Sequence, residues 1–536
     1  MIDSTPDAER LQKEHHWLYW VGWHIREKTK TFAQKHKKHF AILSIFLFLI
    51  VFVFRATVQP VFIILRLHTF DLLVVISFIV LLRVYGRKLR ERGKRFGNIW
   101  KLALFAGVAL LVRCEAYNYL ALYFRYRALH ELDLTELPTT AHERVQPIVS
   151  LRMLADGVMD QNRHPSEPDF VRIGDAFRFT MAIEPDSETS RLFGTIDEIF
   201  DIPGDAASPD FSKESREQVK FPVGEHMLLG NNTHTATIMS FGLFRFFSYS
   251  PGDVRYVKDD DGEMVEVVSL SRLGGSWWSR WIFPWPEFGG VEIIHQDQGG
   301  IFHAVSRLFF GEGEWIRPED ISKYSYLKGQ NLVPYDVSRY AAQSFRYERS
   351  FFAPLPFYHT GDTMIPELPN DRNEQPFTIY AEFGPAGDER NKLYHYFALE
   401  PRQLTQHGLS ASLFLPADGI GPAMVYRHYL RSEGLHGMAA VASQVTGSDL
   451  HVDWGHARPV EHRPLIHDID GVRRFMWLTT IVVFGDEQNG KFSASSMPSI
   501  VLTDARTGRS VWVKAAQPED WDHEVEQSFG DVPKKN

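Results

Sequence analysis

The sequence predicts an α-helical membrane anchor of three transmembrane helices, carrying an extracytoplasmic α+β region of small antiparallel sheets packed with helices. Three observations lead there. Three apolar runs lie between residues 39 and 124. Residues 1–130 hold 21 Lys and Arg against 8 Asp and Glu, whereas the remainder holds 37 against 59. From Leu132 onward, short alternating runs and turn signals replace the long apolar ones.

The first run, Phe40 to Phe54, is almost unbroken. The second extends from about Phe70 to Tyr85, with the apolar stretch Pro60–Leu67 just before it. The third begins near Ile99 and continues through Ala116–Phe124. A span needs ~20 mainly apolar residues to cross ~30 Å of hydrocarbon, and each run reaches that length only with its flanks. The alternative is two helices plus an interfacial or re-entrant segment around residues 57–69. A basic first quarter fits a membrane or a nucleic acid. The apolar runs decide for the lipid bilayer, and no nucleic-acid partner is expected.

Orientation follows the Lys/Arg bias. Arg26, Lys28, Lys30, Lys35, Lys37 and Lys38 precede the first run, and Arg83, Arg87, Lys88, Arg90, Arg92, Lys94 and Arg95 separate the second from the third. Both clusters are expected in the cytoplasm, so an odd number of crossings puts the C-terminal region outside. Arg125 and Arg127 oppose this but are fewer. About 38 polar residues precede the first run, so no cleavable signal peptide is read. The arm they form carries an aromatic stretch, His15–Ile25, suited to lie in the membrane interface.

Ionisable groups interrupt the runs: Arg66, His68 and Asp71 in the second, Arg113 and Glu115 in the third. Within a bilayer such groups are expensive unless paired or hydrated, so they are functional candidates. The plainer reading is a salt bridge between helices or an Arg reaching the interface. Arg113 and Glu115 are two residues apart, point to different faces of one helix, and therefore need partners elsewhere.

Composition bounds the rest. Hydrophobic residues are 44% and charged residues 23% of 536, which excludes a disordered or collagen-like chain. Cys114 is the only cysteine, so an intrachain disulfide, a CxxC redox pair and a cysteine-only zinc site are excluded. The expected division is a basic, aromatic arm (1–38), a transmembrane region (39–127) and two extracytoplasmic α+β domains (128–310 and 311–536).

Within the external portion, residues 171–183 alternate like two strands or one bent one. Residues 254–270, 291–305 and 499–515 each place β-branched arms around an acidic or Gly turn, a hairpin signal. Residues 141–160 and 334–352 carry apolar residues at helical spacing, and Pro318, Glu319 and Asp320 suit a helix start. Residues 184–220 read as a long surface loop. The hairpin Val501–Val513, with Asp504, Ala505, Thr507 and Gly508 at its turn, resembles that of PepSY-like or cystatin-like α+β modules. That resemblance implies an extracytoplasmic module that binds or restrains partners, and it transfers no binding residue.

Two clusters stand out. His451, His456, His462 and His467 lie close together among carboxylates, ligand types that suit zinc, although their spacing matches no familiar motif; otherwise they form a solvated polar loop. Trp277, Trp278, Arg280, Trp281 and Trp285 lie in the most unusual stretch, residues 276–290. Trp is enriched at interfaces and at membrane surfaces, and such rings also fill cores. No nucleophile elbow, phosphate-binding loop or kinase set appears. His395, alternating with Tyr394 and Tyr396, reads as a strand residue rather than a base.

The expected function is a non-enzymatic, membrane-anchored scaffold or accessory subunit without a cofactor. It would bind another envelope protein or copies of itself at the inner (plasma) membrane, with its N-terminus cytoplasmic. Two other classes stay open: an ion or proton channel or transporter component using Arg113, Glu115 and Asp71, and a metal-dependent or hydrolytic ectodomain using the histidines.

Overall fold

The structure is a computed structural model that describes residues 41–47, scattered positions between 63 and 83, and most of 117–529. The longer internal stretches outside the description are 141–147, 186–194, 223–246, 276–282, 297–312, 355–362, 367–374, 484–498 and 514–524. The chain divides into a unit Met1–Val58 and a unit Gln59–Asn536. In the first, residues 41–47 are helical and exposed.

The expected three-helix anchor with an α+β ectodomain is corrected on both counts. Among the described residues no helix is long and apolar enough to cross a membrane, and the body is mostly β, built from several antiparallel sheets. Hydropathy reports that a segment seeks apolar surroundings; it does not report an unbroken helix of the ~20 residues a crossing takes. The end of the third run illustrates this. Residues 119–128 are helical, and Ala121 is buried by protein.

After that helix come β1 (Glu131–Asp133) and β2 (Thr139–Thr140). Helix α1 (Ile148–Gly157) follows, then the first sheet. Its strands are β3 (Arg163–Pro165), β4 (Asp169–Ile173), β5 (Ala176–Pro185), β6 (Thr195–Pro203) and β7 (Arg216–Pro222), in the order β3-β5-β6-β7 with β4 also on β5. The alternation at 171–183 thus forms two strands, while the expected surface loop at 184–220 contains β6 and β7. Acidic letters on β6 hid its buried positions, Ile196, Ile199, Phe200 and Ile202.

The second sheet holds β8 (Phe247–Ser248), β9 (Val254–Lys258), β10 (Met264–Gly274), β11 (Trp285–Ile294) and β12 (Glu314–Ile316). β9 and β10 form the expected Asp-Gly hairpin, whose Gly262 has φ +83°, a left-handed conformation that glycine adopts at no steric penalty. β11 pairs with β10 and β12, and the rest of the hairpin expected at 291–305 lies outside the described residues.

A 3-10 turn (Pro318–Lys323) and α2 (Tyr335–Ser344) lead into the third sheet. Its strands are β13 (Thr363–Met364), β14 (Phe377–Glu382), β15 (Lys392–Pro401), β16 (Ala411–Pro416) and β17 (Met424–His428), with β1 beside β17 and β2 beside β14. The path β1-β17-β16-β15-β14-β2 has five strand spacings, about 24 Å if flat. Asp133 and Thr139 are six residues apart and span at most about 20–22 Å. The sheet must therefore curl so that its edges approach, giving a half-barrel. Last come α3 (Met438–Ser448) and the fourth sheet, β18 (Ala457–Ile469), β19 (Val472–Val483), β20 (Ser499–Asp504) and β21 (Ser510–Val513).

Period-2 alternation gives each sheet two apolar faces. In the first, Phe179, Met181 and Ile183 pack with Leu151 and Ala155 of α1, while Ala182, Ile199 and Phe221 pack on Tyr256, Val268 and Ile294 of the second. In the third, Phe397, Leu399 and Leu413 face α2. Tyr396, Ala398 and Phe414 share a core with α3 and with Trp477 and Val501 of the fourth sheet.

Candidate functional site

The helical residues that enter the body do so through rings. Tyr117, Ala121 and Phe124 recur at spacings of four and three, so they share one face. Tyr117 donates its hydroxyl to the Pro284 carbonyl at 2.8 Å, and Tyr117 and Phe124 lie 6.1 and 6.0 Å from the Phe283 ring. Tyr123 meets Tyr347 and Phe351 edge-on at 5.7 and 4.9 Å. The described end of the Trp-rich stretch is therefore a docking point for the helix. Trp285 is buried and donates to Glu287 Oε1 at 2.9 Å. Trp277, Trp278, Arg280 and Trp281 lie outside the described residues.

Four turns converge on a cleft of about 760 Å³. They are the β4–β5 turn (Gly174, Asp175), the β9–β10 turn (Asp259–Gly262), the segment Ser325–Gln330, and the β14–β15 turn (Gly387–Asn391). Segment 325–330 is the hub. Ser325 donates to Asp260, Lys328 pairs with Glu389 at 3.0 Å, and the Gln330 amide bonds both the N–H and the carbonyl of Arg172. Each turn is also tied to itself. Asp259 Oδ1 accepts from the backbone of Asp261 and Glu263, and Arg390 grips Asp388, holding that carboxyl down at about 2. At the cleft floor Lys392 binds Asp418 at 2.7 Å and the Ile420 carbonyl at 2.6 Å. The cleft is thus pre-shaped, and presents both charge signs beside the Tyr326 and Tyr380 rings.

Behind it lies a sealed polar seam that sequence reasoning did not find. His395 on β15 is fully buried, facing α2. Its Nδ1 bonds Ser338 Oγ at 2.6 Å and its Nε2 bonds Asn331 Oδ1 at 2.7 Å. Asn331 donates to the Tyr335 hydroxyl, which bonds Thr378. Arg255, also fully buried, lies 5.8 Å from the Tyr335 ring centroid, donates to Ser269 at 2.7 Å, and stands 3.4 Å from Asp169. Burial, then the Arg255 charge, lowers His395 to about 3. Burial raises Asp169 to about 8 against the pull of Arg255. Ser, His and Asn in contact have the composition of a nucleophile set. Here both ring nitrogens are engaged, the imidazole is held neutral, and all three side chains are at most 1% exposed. The available signal was the alternation placing His395 on the inner face of its strand.

The histidine cluster separates. His456 sits on an exposed turn with Asp453 at 2.8 Å. His462 is buried in β18 with Nδ1 at 2.9 Å from Thr479 Oγ1, and His467 lies five residues along, past a register shift. The polar-loop alternative is corrected by the same strand. No group of three metal-ligating side chains occurs among the described residues; His451 lies outside them. Of the charges in the apolar runs, His68 and Asp71 pair at 3.0 Å one helical turn apart, while Arg66, Arg113 and Glu115 lie outside the description.

Buried neutral histidines set an acid limb. Burial lowers His462 to about 4 and His395 to about 3 in the fold, against about 6.5 unfolded. Their stabilisation is complete above 6.5 and is lost as pH falls through 4 to 3. His462→Asn is expected to remove about 2–3 kcal/mol of the stability lost between pH 7.5 and 4.5. Urea midpoints at the two pH values check this; an unchanged pH dependence would count against a neutral His462.

At the C-terminal hairpin, Asp504 Oδ1 accepts from the N–H groups of Arg506 and Thr507, and Gly508 has φ +70°. The PepSY-like signature therefore corresponds to a tight turn between β20 and β21. Comparison with protein families, curated proteins and solved structures finds no match to this chain.

Proposed function

We propose that this protein is a non-enzymatic accessory or assembly component held at a cell membrane, whose β body receives a segment of another envelope protein. The cleft is the observation that carries the reading. Its rim charges, among them Lys328 and Glu389, are exposed, of both signs and already held by contacts within and between the turns. Such pre-organisation favours recognition because little is lost on ordering the site. The groups that resemble a nucleophile set are closed off behind it, with both imidazole nitrogens occupied. For the membrane, support comes from the exposed apolar residues Ile42, Phe46, Leu73 and Ile76.

The test is purification from native membranes of the wild type and of Lys328→Glu. Lys328 and Glu389 are exposed, and an exposed pair contributes only ~0–1 kcal/mol to folding, so the fold should persist. The partner is expected to co-purify with the wild type, and its affinity to fall about tenfold in the variant. Recovery of a soluble chain with no partner would contradict the proposal.

A further inference from the structure

We infer that the aromatic patch formed by Tyr123, Phe351 and Phe352 seats the β body against a bilayer, with Phe352 inserted at the headgroup boundary. The inference rests on the reading above that the protein is held at a lipid surface. Phe351 and Phe352 are 39% and 58% exposed although they touch each other at 5.3 Å. Their inner side is backed by protein: Tyr123 packs edge-on to Phe351, and the buried Tyr347 lies 6.4 Å from it. The rings are therefore held outward on a firm base.

Two features select lipid as the occupant. The apolar residues 99–116 immediately precede, in sequence, the helical residues that carry Tyr123, so the patch follows directly on a stretch of lipid-like composition. Exposed cations flank the rings: Arg127 on that helix and Arg349, 61% exposed, just before Phe351. Arg349 lies 4.0 Å from Glu348, whose carboxylate is already engaged with His428 at 2.8 Å. Rings at headgroup depth flanked by Arg form the pattern of an interfacial contact with anionic lipid.

The experiment uses the full chain with Cys114→Ala and Phe352→Cys, labelled at 352 with an environment-sensitive fluorophore. It is bound to vesicles of phosphatidylcholine and phosphatidylglycerol whose acyl chains carry bromine at graded depths. The label is expected to be quenched from a depth of about 5–10 Å below the headgroups, while the same label at Asp175→Cys, on the exposed β4–β5 turn, is not. A chain that binds vesicles without quenching at 352 overturns the inference and leaves the lipid reading standing. A chain that does not bind overturns both. A label untouched by bromine but shielded as protein concentration rises identifies a second copy as the occupant, and also overturns it.

Discussion

Arg255→Met is expected to destabilise the protein by about 2–3 kcal/mol, because it removes a buried hydrogen bond from a charged group to Ser269 and the cation's contact with the Tyr335 ring. Arg255 is fully buried where β4, β9, β10 and α2 meet, with Asp169, Ser269 and the Tyr335 ring around it. The loss has a pH signature. Burial raises the Asp169 carboxyl in the fold, so its contribution is complete below about 4, the unfolded value, and is lost as pH rises through about 8. Without Arg255 the ionised form loses its main support, and the decline extends to higher pH. Denaturant titrations at pH 6 and 9 should show the variant weakened at both and more so at 9. Adding Asp169→Asn should restore part of the loss at pH 9. A single variant within about 1 kcal/mol of wild type at both values would mean that the seam does not hold the first two sheets to α2.

Trp477→Ala is the second large expectation, at about 3–5 kcal/mol. Trp477 is fully buried between the third and fourth sheets, with Phe475 at 5.0 Å and Tyr396 at 6.4 Å. Its indole N–H donates to the His436 carbonyl at 2.9 Å, so truncation opens a cavity and leaves a backbone acceptor unpaired. Hydrogen exchange should rise first in β18 and β19, and calorimetry should show the earlier transition. An unchanged profile would mean that the fourth sheet is not secured through this ring.

How much of this was legible follows from what each signal measures. The β9–β10 and β20–β21 hairpins were readable because Gly262 and Gly508 sit at turns only a few residue types tolerate. Helix α2 was readable from Pro334 and the stripe Val337, Ala341, both buried. The end of the third apolar run was over-read because apolar letters do not distinguish lipid from protein as the partner: Ala121 is buried and Phe124 lies 6.0 Å from the Phe283 ring. β6 was missed because its acids, such as Glu198, pair with Arg163 and Arg216 rather than marking a loop. The cleft and the Ser338–His395–Asn331 contact join residues far apart in sequence. No local spacing encodes such juxtapositions; they arise from the stacking of sheets.

A photo-crosslinking residue placed at Tyr326, on the cleft wall, tests the central claim most directly when the full chain is irradiated in its native membranes. The account predicts one discrete protein adduct, diminished when Lys328→Glu is added. Capture of many proteins without preference, or of none while the chain stays at the membrane, would contradict it.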